Sequence, residues 1–268
     1  MRVLLLADNL VGWKVTEHLA REGAEIVGLV THPPEIANYR DEIVRASGLD
    51  ASRIFVGGKH MNSPEFVTSV SALRPDVALS IYWAYLLKPE FFTIPPRGTI
   101  NFHCSLLPFN RGKNPNVWPL IEGTPAGVTL HYIDAGIDTG DIVAQREIPV
   151  DWTDTAQTIY ERMAPTFIEL FQETWPKILR GEIRPAKQDG AKATFHLAKD
   201  FKQLDEIDLD KQYTARELLA RLRAKTFPPN PACFFRVDGR RIFVRVSLEE
   251  APNEQPASRA PASIATRL

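Results

Sequence analysis

The chain has 268 residues, 44% of them hydrophobic and 24% charged, the profile of a globular protein able to bury a core, with one large domain and a smaller appendage as the natural partition. Lys and Arg number 32 against 33 Asp and Glu, a formal net charge of -1, so no electrostatic footprint points to nucleic acid as the partner, although a small anionic ligand can still meet a local basic patch. Cys104 and Cys233 are too few and too far apart for a disulfide framework or a zinc site. No run approaches the roughly 20 apolar residues that cross a bilayer, and the apolar start stops at Asp8 without the features of a signal peptide. A cytoplasmic location with no membrane partner is expected.

Residues 3–7 are a continuous apolar run ending in Asp8-Asn9, and from Val11 the apolar residues return at helical spacing (Val11, Val15, Leu19), which predicts strand, loop and helix closed by Gly23. Residues 26–30 form a second buried-strand candidate, ended by Pro33 and Pro34. Helices are predicted over 35–47 and 63–73, the latter capped by Ser63 with Pro64 at its first position. Strands follow at 77–82, 99–103, 129–134 and 141–149, and a long helix over 155–179, capped by Thr153 or Thr155 and stopped at Gly181. Strands alternating with helices at this spacing predict an α/β fold, a doubly wound, Rossmann-like and mostly parallel sheet.

After Pro185 the texture changes. A short helix at 214–223, capped by Thr214, precedes two alternating runs at 234–237 and 242–246 joined across Asp238-Gly239, a hairpin signal. These features predict a catalytic domain over 1–184, a small C-terminal α+β domain with a hairpin over 185–250, and a disordered tail over 251–268, rich in Pro, Ala and Ser.

In a doubly wound sheet the ligand crevice lies beyond the carboxyl ends of the strands, where Asp8-Asn9, residues 82–87 and residues 101–111 fall. In Asn101-Phe-His-Cys-Ser-Leu-Leu-Pro-Phe-Asn-Arg-Gly112 the period of two puts Asn101 and His103 on one face and Phe102 on the other. A later loop offers Asp134, Asp138 and Asp141 among glycines, any of which can reach His103. Cys104, on the opposite face, reads as a packing residue, as does His131, and the aromatic stripe Tyr160, Phe167, Phe171 reads as a buried helix face.

The chain resembles the formyltransferases that use 10-formyltetrahydrofolate, a family that includes methionyl-tRNA formyltransferase, glycinamide ribonucleotide transformylase and the nucleotide-linked amino-sugar N-formyltransferases. Asn101, His103 and the following Ser-Leu-Leu-Pro match its Asn-x-His-x-Ser-Leu-Leu-Pro motif, and Ile137-Asp138-Thr139-Gly140 matches its Asp loop, with the likeness running to about Leu179. The resemblance implies catalytic roles for Asn101, His103 and Asp138, and a pterin held against Tyr85, Leu86, Leu87 and the stretch from Asp134 through Ile137 to Asp138. It also implies 10-formyltetrahydrofolate as donor cosubstrate and no metal. An amide such as Asn101 suits a tetrahedral oxyanion, His103 a proton, and a neighbouring Asp138 carboxylate is expected to raise the His103 pKa.

Residues 107–118, with Asn110-Arg-Gly112 and Pro115-Asn-Val-Trp118, look like the sugar branch of that family, as does the Lys225-Thr-Phe-Pro-Pro-Asn-Pro stretch. Asn9, Trp83, Arg111, Lys113 and Asn116 are the candidates for contact with the acceptor, although a solvated loop accounts equally for the last three and core packing for Trp83. The expected acceptor is a nucleotide-linked amino sugar such as a dTDP- or GDP-4-amino-4,6-dideoxy sugar, for a surface polysaccharide such as lipopolysaccharide. Methionyl-tRNA formylation is the alternative within the class, and a folate-binding regulator the alternative outside it. By analogy with the sugar enzymes the small C-terminal domain is expected to join a homodimer.

Overall fold

The apolar runs that open the chain lie in the middle of a sheet, because neither of their faces meets water. The computed structural model describes residues 1–251, so the tail expected over 251–268 lies, beyond its first residue, outside the described residues. Strand alternates with helix through β1 (Arg2–Ala7), α1 (Asn9–Arg21), β2 (Glu25–Thr31), α2 (Arg40–Ser47), β3 (Ile54–Val56), α3 (Pro64–Ser71), β4 (Val77–Ile81), α4 (Pro89–Phe92) and β5 (Thr99–His103). All five strands pair in parallel, in the order β3-β2-β1-β4-β5, so the winding reverses between β1 and β4. The chain continues through β6 (Arg111–Gly112), α5 (Trp118–Glu122), β7 (Ala126–Tyr132) and β8 (Ile142–Ile148). β7 and β8 extend the β5 edge antiparallel, completing a 7-stranded, mostly parallel sheet as expected.

Side-chain alternation divides this sheet between two cores. Val3, Leu5 and Ala7 of β1 face one, with Val11, Val15 and Leu19 of α1 and the apolar face of α6 (Ala156–Arg180), while Leu4 and Leu6 face the other, with Val70 and Phe91. The Thr155 hydroxyl caps α6 by accepting from the Thr158 N–H, and Gly181 at φ +70° ends it. Phe167 and Phe171 are fully buried, as predicted. Tyr160 is only half-buried, because its hydroxyl accepts a hydrogen bond from Asn9 in the crevice. The helix expected over 35–47 begins only at Arg40, since the Asn38 N–H is taken by Asp8 and the Ile36 and Ala37 N–H groups turn back onto Pro33.

The remainder comprises β9 (Phe195–His196), α7 (Ala198–Lys202), α8 (Ala215–Ala224), β10 (Cys233–Val237) and β11 (Arg240–Val244). β10 and β11 form the expected hairpin across Asp238 (φ 49°) and Gly239 (φ 75°), the paired positive φ values that a two-residue loop needs to match strand twist. Cys233, Ile207 and Leu222 form its small core. Residues 185–197, grouped by texture with this unit, are tied to the preceding chain instead: Ala186 bridges Ile142 of β8, and β9 pairs with β6 in a separate two-stranded sheet. α8 packs on α5, and the Arg223 guanidinium donates to the Asp151 and Asp154 carbonyls ahead of α6. Among the described residues no helix is long and apolar enough to cross a membrane.

Phe167 has no solvent exposure and its ring meets Phe102 at 5.6 Å and Tyr82 at 6.0 Å, so it bridges α6 to the ends of β4 and β5. Phe167→Ala is expected to lower unfolding free energy by about 3–5 kcal/mol in chemical denaturation; a loss below about 1 kcal/mol would show that this contact is not the anchor of the helix.

Candidate active site

The end of β5 sorts its side chains by face. Phe102 packs on Phe167 and Phe171, with Leu130 of β7 opposite it, while Asn101 and His103 look the other way, with His131 and Thr129 of β7 as their cross-strand partners. The Asn101 amide is oriented from both sides: its Oδ1 accepts from the Ser80 hydroxyl at 2.9 Å, and its Nδ2 lies 3.2 Å from His131 Nε2. The His131 Nδ1 donates to the Tyr132 carbonyl at 2.8 Å, so Nε2 carries the lone pair and accepts from Asn101. One Asn101 N–H is left to face the crevice.

Asp138 arrives from the loop between β7 and β8 with a left-handed backbone (φ 54°). Its Oδ1 is 3.4 Å from His103 Nδ1 and 3.6 Å from His131 Nε2, and its Oδ2 accepts the Gly112 N–H at 2.9 Å. Amide, imidazole and carboxylate, separated along the chain, thus converge. Gly112 has φ +92°, and a Cβ there would fall 2.2 Å from the His196 carbonyl oxygen, so only glycine presents this N–H. Gln188 steadies the same loop, donating to the Asp138 and Gly140 carbonyls at 2.9 and 2.7 Å.

The electrostatics correct one expectation. Burial pushes the His103 imidazole below its usual range, and the Asp138 charge offsets this only in part. The expected rise does not occur, because a ring whose side chain is 7% exposed loses more from desolvation than it gains from one carboxylate. Burial also opposes the Asp138 charge, but His103, His131 and the Gly112 N–H outweigh it and hold that carboxyl well below the ordinary carboxylate range. His103 Nε2 lies 3.1 Å from the Asn110 carbonyl, which only accepts, so in the neutral ring Nε2 bears the proton and Nδ1 is the vacant position facing Asp138. A basic site and the charge that would stabilise its protonated form therefore stand side by side.

Other expected site residues have definite places. Tyr85 and Leu87 lean against the second core while Leu86 is 72% exposed, and Trp83 packs on that same core with its ring stacked on His32. Asp134 closes its own loop by accepting from Gly136 and Thr139, leaving Ile137 exposed. Arg111 donates twice to Gln188, and Asn116 donates to the Ala156 carbonyl at the start of α6, so both are engaged within the chain; Lys113 is exposed. Cys104 lies on the face away from His103, its thiol pushed up to about 12 by burial. Among the described residues no group of three or more His, Cys, Asp or Glu is placed to hold a metal ion. His131 was read as packing and instead touches both Asn101 and Asp138; the period of two along β7 carried that signal, since the register sets it opposite Asn101.

The opposing effects on His103 set a direction that can be measured. In NMR titration of its ring protons the midpoint is expected below the usual imidazole value, and Asp138→Asn is expected to lower it further by removing the one strong attraction for the proton. A midpoint that rises in Asp138→Asn would contradict the arrangement described.

Comparison with known proteins finds formyltransferases. The methionyl-tRNA formyltransferase of Caldanaerobacter subterraneus subsp. tengcongensis is 30% identical over 268 residues, covering 96% of this chain and 84% of its own. A 4-N formyltransferase structure from Francisella tularensis superposes with a TM-score of 0.78 at 26% identity, covering 93% of this chain and 98% of that one. The formyltransferase PseJ from Anoxybacillus kamchatkensis, solved in complex with UDP-4,6-dideoxy-4-formamido-L-AltNAc and tetrahydrofolate, matches at 31% identity and a TM-score of 0.53 over 76% of this chain and 89% of its own. The model of the N-formyltransferase dimerization C-terminal domain matches residues 200–250. With the formyl transferase family model matching residues 2–173, across the sheet and every side chain of the Asn101, His103 and Asp138 cluster, the chain belongs to the formyl transferase family.

Proposed function

We propose that this enzyme moves a formyl group from 10-formyltetrahydrofolate to the amine of a nucleotide-linked amino sugar, with Asn101, His103 and Asp138 as the catalytic residues. The convergence of an oriented amide with a buried imidazole–carboxylate pair carries the reading. The acceptor amine attacks the formyl carbon, and the free Asn101 N–H donates to the oxygen as it becomes an oxyanion. The His103–Asp138 pair receives the amine proton. As the carbon–N10 bond breaks, the proton passes to N10 of the leaving tetrahydrofolate, so the cycle begins and ends with the same protonation state.

The choice of acceptor rests on two supports. The 4-N formyltransferase and PseJ resemble this chain, the latter with a formamido nucleotide sugar bound. Phosphate contacts dominate affinity for tRNA, whereas this chain carries a formal net charge of -1. Leu86, Ile137 and the backbone around them line the donor side, and the exposed Lys113 on the acceptor side suits a diphosphate. The product would enter synthesis of a surface polysaccharide. Incubated with 10-formyltetrahydrofolate and a panel of nucleotide-linked amino sugars, the enzyme is expected to add the mass of one CO to at least one sugar, and Asn101→Ala to cut kcat about 100- to 1000-fold. Formylation of Met-tRNA with none of any sugar would overturn the acceptor assignment.

The C-terminal unit completes a homodimer in this reading. Val237 and Ile242 on one face of the hairpin and Phe243 on the other are 39%, 40% and 49% exposed, apolar side chains left open on a two-stranded unit that is marginal by itself. Phe243→Asp is expected to shift the sedimenting species from dimer to monomer; an unchanged dimer would place the contact elsewhere.

A further inference from the structure

Outside the catalytic cluster, one buried group of polar side chains lies where the ends of β1, β2 and β4 meet. His32, just past β2, is 3% exposed. Its Nε2 accepts the Ala84 backbone N–H at 3.1 Å, so the proton of the neutral ring is on Nδ1, which faces Asp8 Oδ2 at 3.5 Å. Asp8 Oδ1 in turn accepts the Asn38 N–H at 2.7 Å. Burial works against the Asp8 charge, yet His32 and Asn38 keep the carboxyl below its usual range.

The same ring carries the aromatic side chains of the following loop. Trp83 stacks on it with centroids 4.2 Å apart and planes at 14°, and Tyr85 meets it edge-on at 5.7 Å. Trp83 fits there because Gly57 has no side chain: a Cβ at that position would fall 2.5 Å from the indole. From the other end of the loop Asn62 donates to the Leu86 carbonyl and accepts the Lys88 N–H, both at 2.9 Å. Leu86, 72% exposed, is thus the projecting tip of a segment held on both sides.

We infer that His32, backed by Asp8, is a positioning residue for the formyl donor: it clamps the loop of residues 83–87 by its Ala84 hydrogen bond and its stack on Trp83, so that the backbone edge around Leu86 is ordered before the pterin arrives. This rests on the reading of that loop as the pterin wall. A pre-ordered wall spares the ligand the entropy of fixing it, so the effect belongs to donor affinity and not to the chemical step.

Two variants separate the clamp from mere packing. His32→Leu keeps an apolar side chain under Trp83 but removes both nitrogens, whereas His32→Gln retains one acceptor for Ala84 and one donor for Asp8. In His32→Leu the Ala84 amide is expected to exchange with deuterium, and tetrahydrofolate to dissociate, roughly tenfold more readily, with kcat and the acceptor KM within about twofold of wild type and both losses reversed in His32→Gln. Unchanged Ala84 exchange in His32→Leu, or a His32→Gln enzyme as impaired as His32→Leu at equal thermal stability, would overturn the inference. Wild-type protein that binds no tetrahydrofolate would instead sink the functional reading, and the exchange measurement would then judge the clamp by itself.

Discussion

Everything at this site depends on keeping one mostly buried carboxylate charged. Asp138 is held by one backbone N–H in every state and by two imidazoles that pair with it once they carry a second proton, and each of those partners is imposed by a different part of the chain: His103 by β5, His131 by β7 and the N–H by the glycine at 112. A buried charge without partners costs several kcal/mol and would neutralise itself. Placing the partners therefore amounts to building the sheet edge, the antiparallel pairing of β5 with β7 and the left-handed turn at Asp138 together.

The donor geometry around Asn101 follows from the same economy of hydrogen bonds. Ser80 occupies the amide oxygen and His131 one of the amide hydrogens, and the flip of the group is decided by His131, whose Nε2 lone pair is fixed by the Tyr132 carbonyl on the other nitrogen. Donors that are already aimed need little rearrangement as negative charge develops, which is where preorganised polar sites gain over water. The strands that supply Asn101 and His131 pack their other face, through Ile100, Phe102, Val128 and Leu130, into the main core, so the aim is set by rigid elements.

Much of this was legible in the residues. Unalternating apolar runs gave the parallel centre, Ser63, Thr155 and Thr214 cap the helices that they were expected to cap, and Asp238-Gly239 turns the hairpin. Segments of two to five residues such as β6, β9 and α7 were not legible, because they are too short to display a period and exist through distant hydrogen bonds. The cluster of Asn101, His103 and Asp138 was visible as a motif, but the balance on His103 was not. Attraction between a carboxylate and an imidazole can be read from a pattern, whereas the degree of burial that outweighs it is a property of the assembled fold. Gln188, with no local signal at all, had to be found in space.

Residues 186–196 have a consequence for how such proteins diversify. This strip follows the long helix α6 and is easily taken as the start of the appendage, yet it is laced to the strands and loops around Asp138: Thr194 bonds to Asn110, the His196 carbonyl accepts from Lys113, and Gln188 spans Arg111 and Gly140. An exchange of the terminal module between relatives, by recombination or by an engineer, keeps the reactive centre intact only if the splice falls after this strip. A crossover placed at the apparent change of texture near Pro185 would replace the lacing with that of another protein, and the loop would keep only the Gly112 N–H and its own Asp134 turn as native ties.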